Sequence, residues 1–296
     1  MLIAYCLLVG SQVDNEYGCH GTVRSAGPAS ARAFRRWLRA AYDDDLSALN
    51  AAWGTRFWSQ TYAAWDQVLP PTGGATVPAD HSPGLTLDFD RFSSDAWRDF
   101  HAAQVAVLRK HNPRHWITHN MMLYYFDYDM PRLGATLDAV SWDNYETHGT
   151  HPLCVAANHD WMYGAGRRTS DGPRATDGDV TAAPAAVPLS SLPPSPPPPG
   201  KPFWVMEQQL GQVNWDAYNG QWRPGRLALK VVQSVAHGAN GMVYFRWRQC
   251  PFGAEQYHSG LLDHAGKSST SRELPLGAYF FKEMPLLVLQ AAKRDS

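Results

Sequence analysis

A chain of 296 residues is long enough for one large domain or two small ones, and its 44% hydrophobic content can fill a sizeable core. The formal net charge of −1 gives no electrostatic reason to expect nucleic acid or an anionic membrane as a partner. The four cysteines stand far apart without Cys-x-x-Cys spacing, which argues against a zinc ribbon or a disulfide framework and leaves reduced thiols and a cytoplasmic location as the expectation.

In chain order, Met1 to Gly10 is apolar but lacks a basic leader region and is too short to span a bilayer. A buried strand over Leu7 to Val13 is the better reading. Helical patterning follows from Ala31 to Ala41, with Phe34, Trp37, Leu38 and Ala41 at three-and-four spacing, and again over Leu46 to Trp53. A Gly/Pro loop spans Pro70 to Pro83. Ser93 or Ser94 then caps a helix carrying Trp97, Phe100, Val107 and Leu108, which ends before Asn112-Pro113.

His115 to Asn120, Ala139 to Asp143 and Phe203 to Glu207 read as strands. Pro224 opens a helix with Leu227, Val231, Val232 and Val235, closed by Gly238, and Met242 to Phe245 is the last strand. Strands alternating with helices argue for α/β with a parallel sheet. Gly164 to Pro202 breaks the pattern. It is rich in Gly, Ala, Ser and Pro and culminates in Pro193 to Pro199, so a disordered or polyproline-II excursion is predicted. Its Pro-x-x-P match could serve an SH3-type partner, but compositional drift in a surface loop explains it as well.

Two glutamate-centred segments carry the chemistry, Gln12 to Gly18 (QVDNEYG) and Phe203 to Gln209 (FWVMEQQ). In each, a short apolar run ends on a carboxylate, as expected of a buried parallel strand delivering a side chain to the carboxyl-end face of its sheet. Two carboxylates from different strands are what glycosidic-bond cleavage needs, one to protonate the leaving oxygen and the other to attack or stabilise the sugar carbon. Taken singly, most strand-end carboxylates are solvated or cap the next helix. The 12 Trp, 13 Tyr and 11 Phe suit a sugar site, although core filling accounts for most of them. His148 and His151 have no carboxylate or third ligand placed around them and read as loop histidines rather than a metal site.

Long runs then resemble the β-galactosidases of glycoside hydrolase family 42. They are Gln12 to His20, Ala52 to Asp66, Leu87 to Phe100, Ser141 to Tyr145 (SWDNY), Phe203 to Trp215 and Tyr244 to Leu262. The resemblance implies a (β/α)₈ barrel of the TIM type and a retaining β-galactosidase acting on terminal β-D-galactosides. It implies Glu16 as acid/base, closing the fourth strand behind Asn15, and Glu207 as nucleophile, closing the seventh. By the same resemblance Asn15 bonds the hydroxyl beside the reacting carbon, Trp215 packs on the sugar, and Glu255 and His258 hold other hydroxyls. Tyr145 and Phe245 line the pocket. Some family members bind zinc through cysteines soon after the position of Cys19; Gly21 to Ala33 contains none, so neither metal nor cofactor is expected.

Only 14 residues precede Asn15, room for one strand, and 30 follow Gly266. The expectation is therefore a partial barrel over residues 1–296, strands four to eight, interrupted at about 164–202. The family's trimerisation domain and carboxyl-terminal β domain would be absent, and with them the part through which family members self-associate. The strands Leu7 to Val13 and Met242 to Phe245 would each carry an unpaired edge, predicting a chain that is unstable, aggregates or needs a partner to supply the missing strands, and that has little activity alone. A catalytically silent remnant and a relative acting on another glycoside are the alternatives.

Overall fold

The computed structural model describes residues 10–71, 82–122, 128–147, 149–167 and 200–267, with the backbone of 287–289. It divides into two compact units: Asp14–Pro113 with Met122–Asp129, and Met1–Val13 with Arg114–Met121 and Met130–Ser296.

The second unit carries the sheet. Its strands are β1 (Gly10–Gln12), β2 (Trp116–Thr118), β3 (Asn120–Met121), β4 (Val140–Asn144), β5 (Phe203–Gln209), β6 (Gly241–Phe245) and β7 (Leu287–Leu289). Every pairing among the described residues is parallel. β1 pairs with β2, and β3 through β7 follow one another in a five-stranded sheet. Helices α4 (Met130–Thr136), α5 (Pro152–Ala165) and α6 (Arg226–Ala236) lie in the connections β3–β4, β4–β5 and β5–β6. Consecutive parallel strands joined through helices are the repeating unit of a (β/α) barrel.

β4 is buried along its whole length and β5 nearly so, as expected of strands covered on both faces. At the amino ends of the strands large indoles face glycines. A Cβ on Gly10 would run into the Trp116 ring, and one on Gly241 would sit 2.6 Å from the Trp204 ring. The two indoles lie 5.1 Å apart, and Trp204 packs with Ala139 and Val243. Glycine is required at both positions because ring and backbone occupy the space a side chain would need.

The other unit is helical, with α1 (Pro28–Ala41), α2 (Leu46–Trp53) and α3 (Pro83–His111) around Phe34, Leu38, Leu49, Trp53, Leu85, Phe89 and Phe92. Asp45 caps α2, accepting from the backbone N–H of Ser47 and Ala48. The buried Asp88 carboxylate accepts from the Tyr42 hydroxyl at 2.6 Å and the Trp53 indole at 2.8 Å.

Several expected elements are corrected. Helix α3 begins at Pro83, ten residues before Ser93, and both serines are interior: the Ser93 and Ser94 hydroxyls bond back to the carbonyls of Phe89 and Asp90. A serine bonded to its i−4 carbonyl is accommodated inside a helix instead of starting one. Phe100 and Val107 of that helix are exposed. The single strand His115 to Asn120 is two, interrupted at His119, whose ring bonds the Val13 carbonyl. β5 runs two residues past Glu207. Met242 to Phe245 is not the last strand and lacks no neighbour, since β7 pairs with it from Met242↔Leu287 to Tyr244↔Leu289. Of the Pro-rich excursion, 168–199 lies outside the described residues, as do 7–9 of the expected first strand, 72–81 of the Gly/Pro loop and His148; its first residues, Gly164 and Ala165, end α5.

Candidate active site

In the sheet-bearing unit the site is built at the carboxyl ends of β3, β4, β5 and β6. Register places Asp143 opposite Glu207, just past a shift in the β4–β5 ladder. Such irregularities re-aim side chains next to functional sites. Carboxylate oxygens of the two residues lie within 4.8 Å of one another. Glu207 is buried, and its Oε2 accepts from the Tyr145 hydroxyl at 2.6 Å. Asp143 Oδ2 accepts from the Asn120 amide at 2.7 Å, and Asn120 Oδ1 accepts from the Gln12 amide at 3.0 Å. Charge-assisted bonds of this kind are shorter and stronger than neutral ones.

Beside Glu207 stands a cluster of rings. Tyr145 meets Trp215 edge-on at 5.0 Å and His258 at 5.5 Å; His258 stacks on Trp215 at 5.2 Å and meets Phe245 at 5.3 Å. Trp215 is held there because its loop is tied to the segment before His258. Gln212 donates to the Tyr257 carbonyl at 2.7 Å and Asn214 to the Ala254 carbonyl at 2.6 Å. Trp215 is half exposed, whereas His258 is wholly buried and neither ring nitrogen has a hydrogen-bond partner among the described residues. Burial, with Arg246 adding, pushes His258 down to about 4, so its ring is neutral at physiological pH. Glu255 is partly exposed and forms an ion pair with Arg246, whose guanidinium lies over the Phe245 ring.

Asn15 and Glu16 belong to the helical unit. β1 ends at Gln12, so neither residue closes a strand; both lie in the turn that follows it. Asp14 and Glu16 take left-handed backbone, φ 59° and 44°. For residues with a side chain this costs about 1–3 kcal/mol each and persists only where the surroundings enforce it. Here Tyr17 supplies the anchor: it is buried, stacks on Trp97 at 4.7 Å and accepts from the Gln104 amide at 3.1 Å. The Asn15 N–H donates to Asp14 Oδ1 and the Cys19 N–H to the Glu16 carbonyl. Glu16 is half-buried and Asn15 exposed.

Thus the structure brings Glu207, Tyr145, Trp215, Phe245 and His258 into one cluster, with Glu255 reaching it through Arg246. Sequence reasoning did not single out Asp143, Asn120 or Gln12. The signal for Asp143 was present, since it is the lone carboxylate of an apolar strand, the same pattern that marked Glu207. Among the described residues no helix is long and apolar enough to cross a membrane.

The family model for glycoside hydrolase family 42, described as β-galactosidase, matches residues 5–173 and 195–278. The chain is 40% identical to a β-galactosidase of a Thermus species over 271 residues, covering 86% of this chain and 36% of that protein. It is 39% identical to one from Halorubrum lacusprofundi over 254 residues, covering 86% of the chain and 33% of that protein. The crystal structure of a β-galactosidase from the psychrophilic Marinomonas ef1 superposes with a TM-score of 0.75 at 33% identity, covering 93% of this chain and 39% of that one. The chain therefore spans about a third of the length of the relatives it matches.

Proposed function

Because the chain belongs to glycoside hydrolase family 42, the β-galactosidase family, we propose that it serves the hydrolysis of terminal β-D-galactosides with retention, Glu207 acting as nucleophile and Glu16 as acid/base. The observation that carries this reading is Glu207 itself. It is a buried carboxylate near the carboxyl end of a parallel strand, oriented by the Tyr145 hydroxyl and bordered by rings that suit a sugar face.

In the first step a Glu207 oxygen attacks the anomeric carbon while the glycosidic C–O bond breaks. Glu16 gives its proton to the departing oxygen, leaving a galactosyl ester on Glu207. In the second, Glu16 takes a proton from water, whose oxygen attacks the same carbon and releases the Glu207 carboxylate. Two inversions retain the configuration. This chemistry requires carboxyl groups about 5–5.5 Å apart. The Tyr145 bond fixes the orientation of the Glu207 carboxylate for attack. The left-handed backbone at Glu16, anchored through Tyr17, supports a carboxyl held in a fixed direction. Asn15 bonds the hydroxyl beside the reacting carbon and Trp215 packs on the ring. Glu255 and His258 serve the remaining hydroxyls, His258 once the Trp215 ring that stacks on it gives way.

The test uses nitrophenyl β-galactoside with added azide. Glu16→Ala should yield the β-galactosyl azide and Glu207→Gly the α-anomer; the opposite products would reverse the two roles. A 2-fluoro-galactoside with a good leaving group should label Glu207, read by peptide mass, and labelling elsewhere would remove it as nucleophile.

A further inference from the structure

A second feature of the sheet-bearing unit lies beyond the ring cluster. The neighbours Tyr145 and Glu146 divide between two places: Tyr145 bonds Glu207, while Glu146 lines a cleft of about 820 Å³. This cleft is bounded by Glu146, Thr147 and Pro152 after β4, by Gln209 at the end of β5 and the loop that follows it up to Gly225, and by the first turns of α6. Its size falls in the range of ligand sites, roughly 300–1,000 Å³.

The charges in its wall do not balance. Arg223, Arg226 and Lys230 face it, with Glu146 as the lone carboxylate among the described residues that line it, although the whole chain is slightly acidic. Glu146 is ion-paired at both carboxylate oxygens. Its Oε2 meets the Arg226 guanidinium at 2.6 Å and its Oε1 forms an ion pair with Lys230, both Glu146 and Lys230 having side chains no more than 3% exposed. Its backbone N–H donates to the Gln209 amide oxygen at 2.6 Å, and the Gln209 amide donates back to the Glu146 carbonyl at 3.2 Å. Two cations thus share one carboxylate. The Arg226 Nε–H is buried and has no acceptor among the described residues, while its guanidinium stands over the Trp222 ring at 5.4 Å. Lys230 is buried against Glu146, whereas the Arg226 side chain stays 37% exposed and Arg223 is exposed, so the surplus positive charge of the wall faces the cleft. A guanidinium with a donor left over is matched by a planar or tetrahedral oxyanion.

We propose that this cleft binds a sugar bearing an acidic group, a uronate carboxylate or a sulfate ester, with Arg226, Lys230 and Arg223 on the acid and Trp222 against the ring. That the ligand is a sugar rests on the galactosidase reading; that it is anionic rests on the cleft. Gln209 ties the two places together, since it lines the cleft and sits two residues beyond Glu207 on β5.

Calorimetric titration of the 296-residue chain at fixed ionic strength tests this with four probes: digalacturonate, galactose 6-sulfate, neutral galactobiose and sodium sulfate. At least one acidic sugar should bind ~10-fold or more tightly than galactobiose, the worth of a single charge-assisted contact, and the tighter of the two identifies the acid. Arg226→Gln and Arg223→Gln should each erode that preference, and Trp222→Ala should weaken the sugars but not sulfate. Arg223 is exposed and outside the Glu146 cluster, so its variant decides the matter should Arg226→Gln fail to fold. Equal affinity for neutral and acidic sugars, or a preference untouched by both arginine variants, would overturn the proposal. Sulfate binding as tightly as the acidic sugars would also overturn it. Because binding is read directly, a chain that prefers acidic sugars yet cleaves no galactoside keeps this inference and loses the catalytic one. An active galactosidase blind to the acid does the reverse.

Discussion

The Tyr145 hydroxyl donates to Oε2 of Glu207 across 2.6 Å, joining a residue just past the end of β4 to a carboxylate on β5. A hydrogen bond to a charged group is worth about 1.5–3 kcal/mol, so its removal converts to ~10–100-fold in rate if it acts in the transition state. Tyr145→Phe should lower kcat on nitrophenyl β-galactoside by that factor and change KM less. Unaltered kcat would show that the phenol only fills the wall.

The helical unit has its own polar centre in Asp88. Asp88→Ala leaves the Tyr42 hydroxyl and the Trp53 indole N–H without their buried acceptor. The expected loss is about 2–4 kcal/mol in urea unfolding, with Asp88→Asn losing less because one acceptor oxygen remains. Equal unfolding midpoints for wild type and Asp88→Ala would mean that the two donors find other partners.

Gly241→Ala would place a methyl 2.6 Å from the Trp204 ring on the neighbouring strand. Overpacking of this kind costs about 1–3 kcal/mol. A smaller loss is expected when Trp204→Phe is made in the same chain, because the contact is with the indole. Additive losses in the double variant would show that the ring is not what excludes the methyl.

Two buried histidines set an acid limit. Burial pushes His258 down to about 4, with Arg246 adding, and His159 also down to about 4, with His237 adding to burial and Asp160 opposing it. Between pH 4 and the ordinary 6.5 the unfolded chain takes up protons that the folded chain refuses. Stability therefore rises with pH across this window and is lost as pH falls through it, by at most about 1.4 kcal/mol per pH unit for each ring. Urea midpoints at pH 5 and pH 7 should differ accordingly, and His159→Gln should shrink the difference. Identical midpoints in wild type would place both rings in contact with water.

By itself the sequence determined the parallel α/β class and the α2 boundaries at Leu46 and Trp53, because apolar period and abrupt polarity changes are local signals. It expected Glu16 to close a strand, whereas β1 ends at Gln12 and Glu16 lies in the segment that follows. The start of α3 escaped it because serines resemble caps, and only the paired geometry shows their hydroxyls bonded back to Phe89 and Asp90. The pairing of β7 with β6 escaped it because a three-residue strand has no readable period. The Asp143–Glu207 register, the Tyr145 bond and the pairing of Glu146 with Arg226 and Lys230 were decided only in the tertiary structure. Each joins residues more than sixty positions apart. A side chain's partner across such a gap is set by strand register and loop anchoring, which no local run of residues encodes.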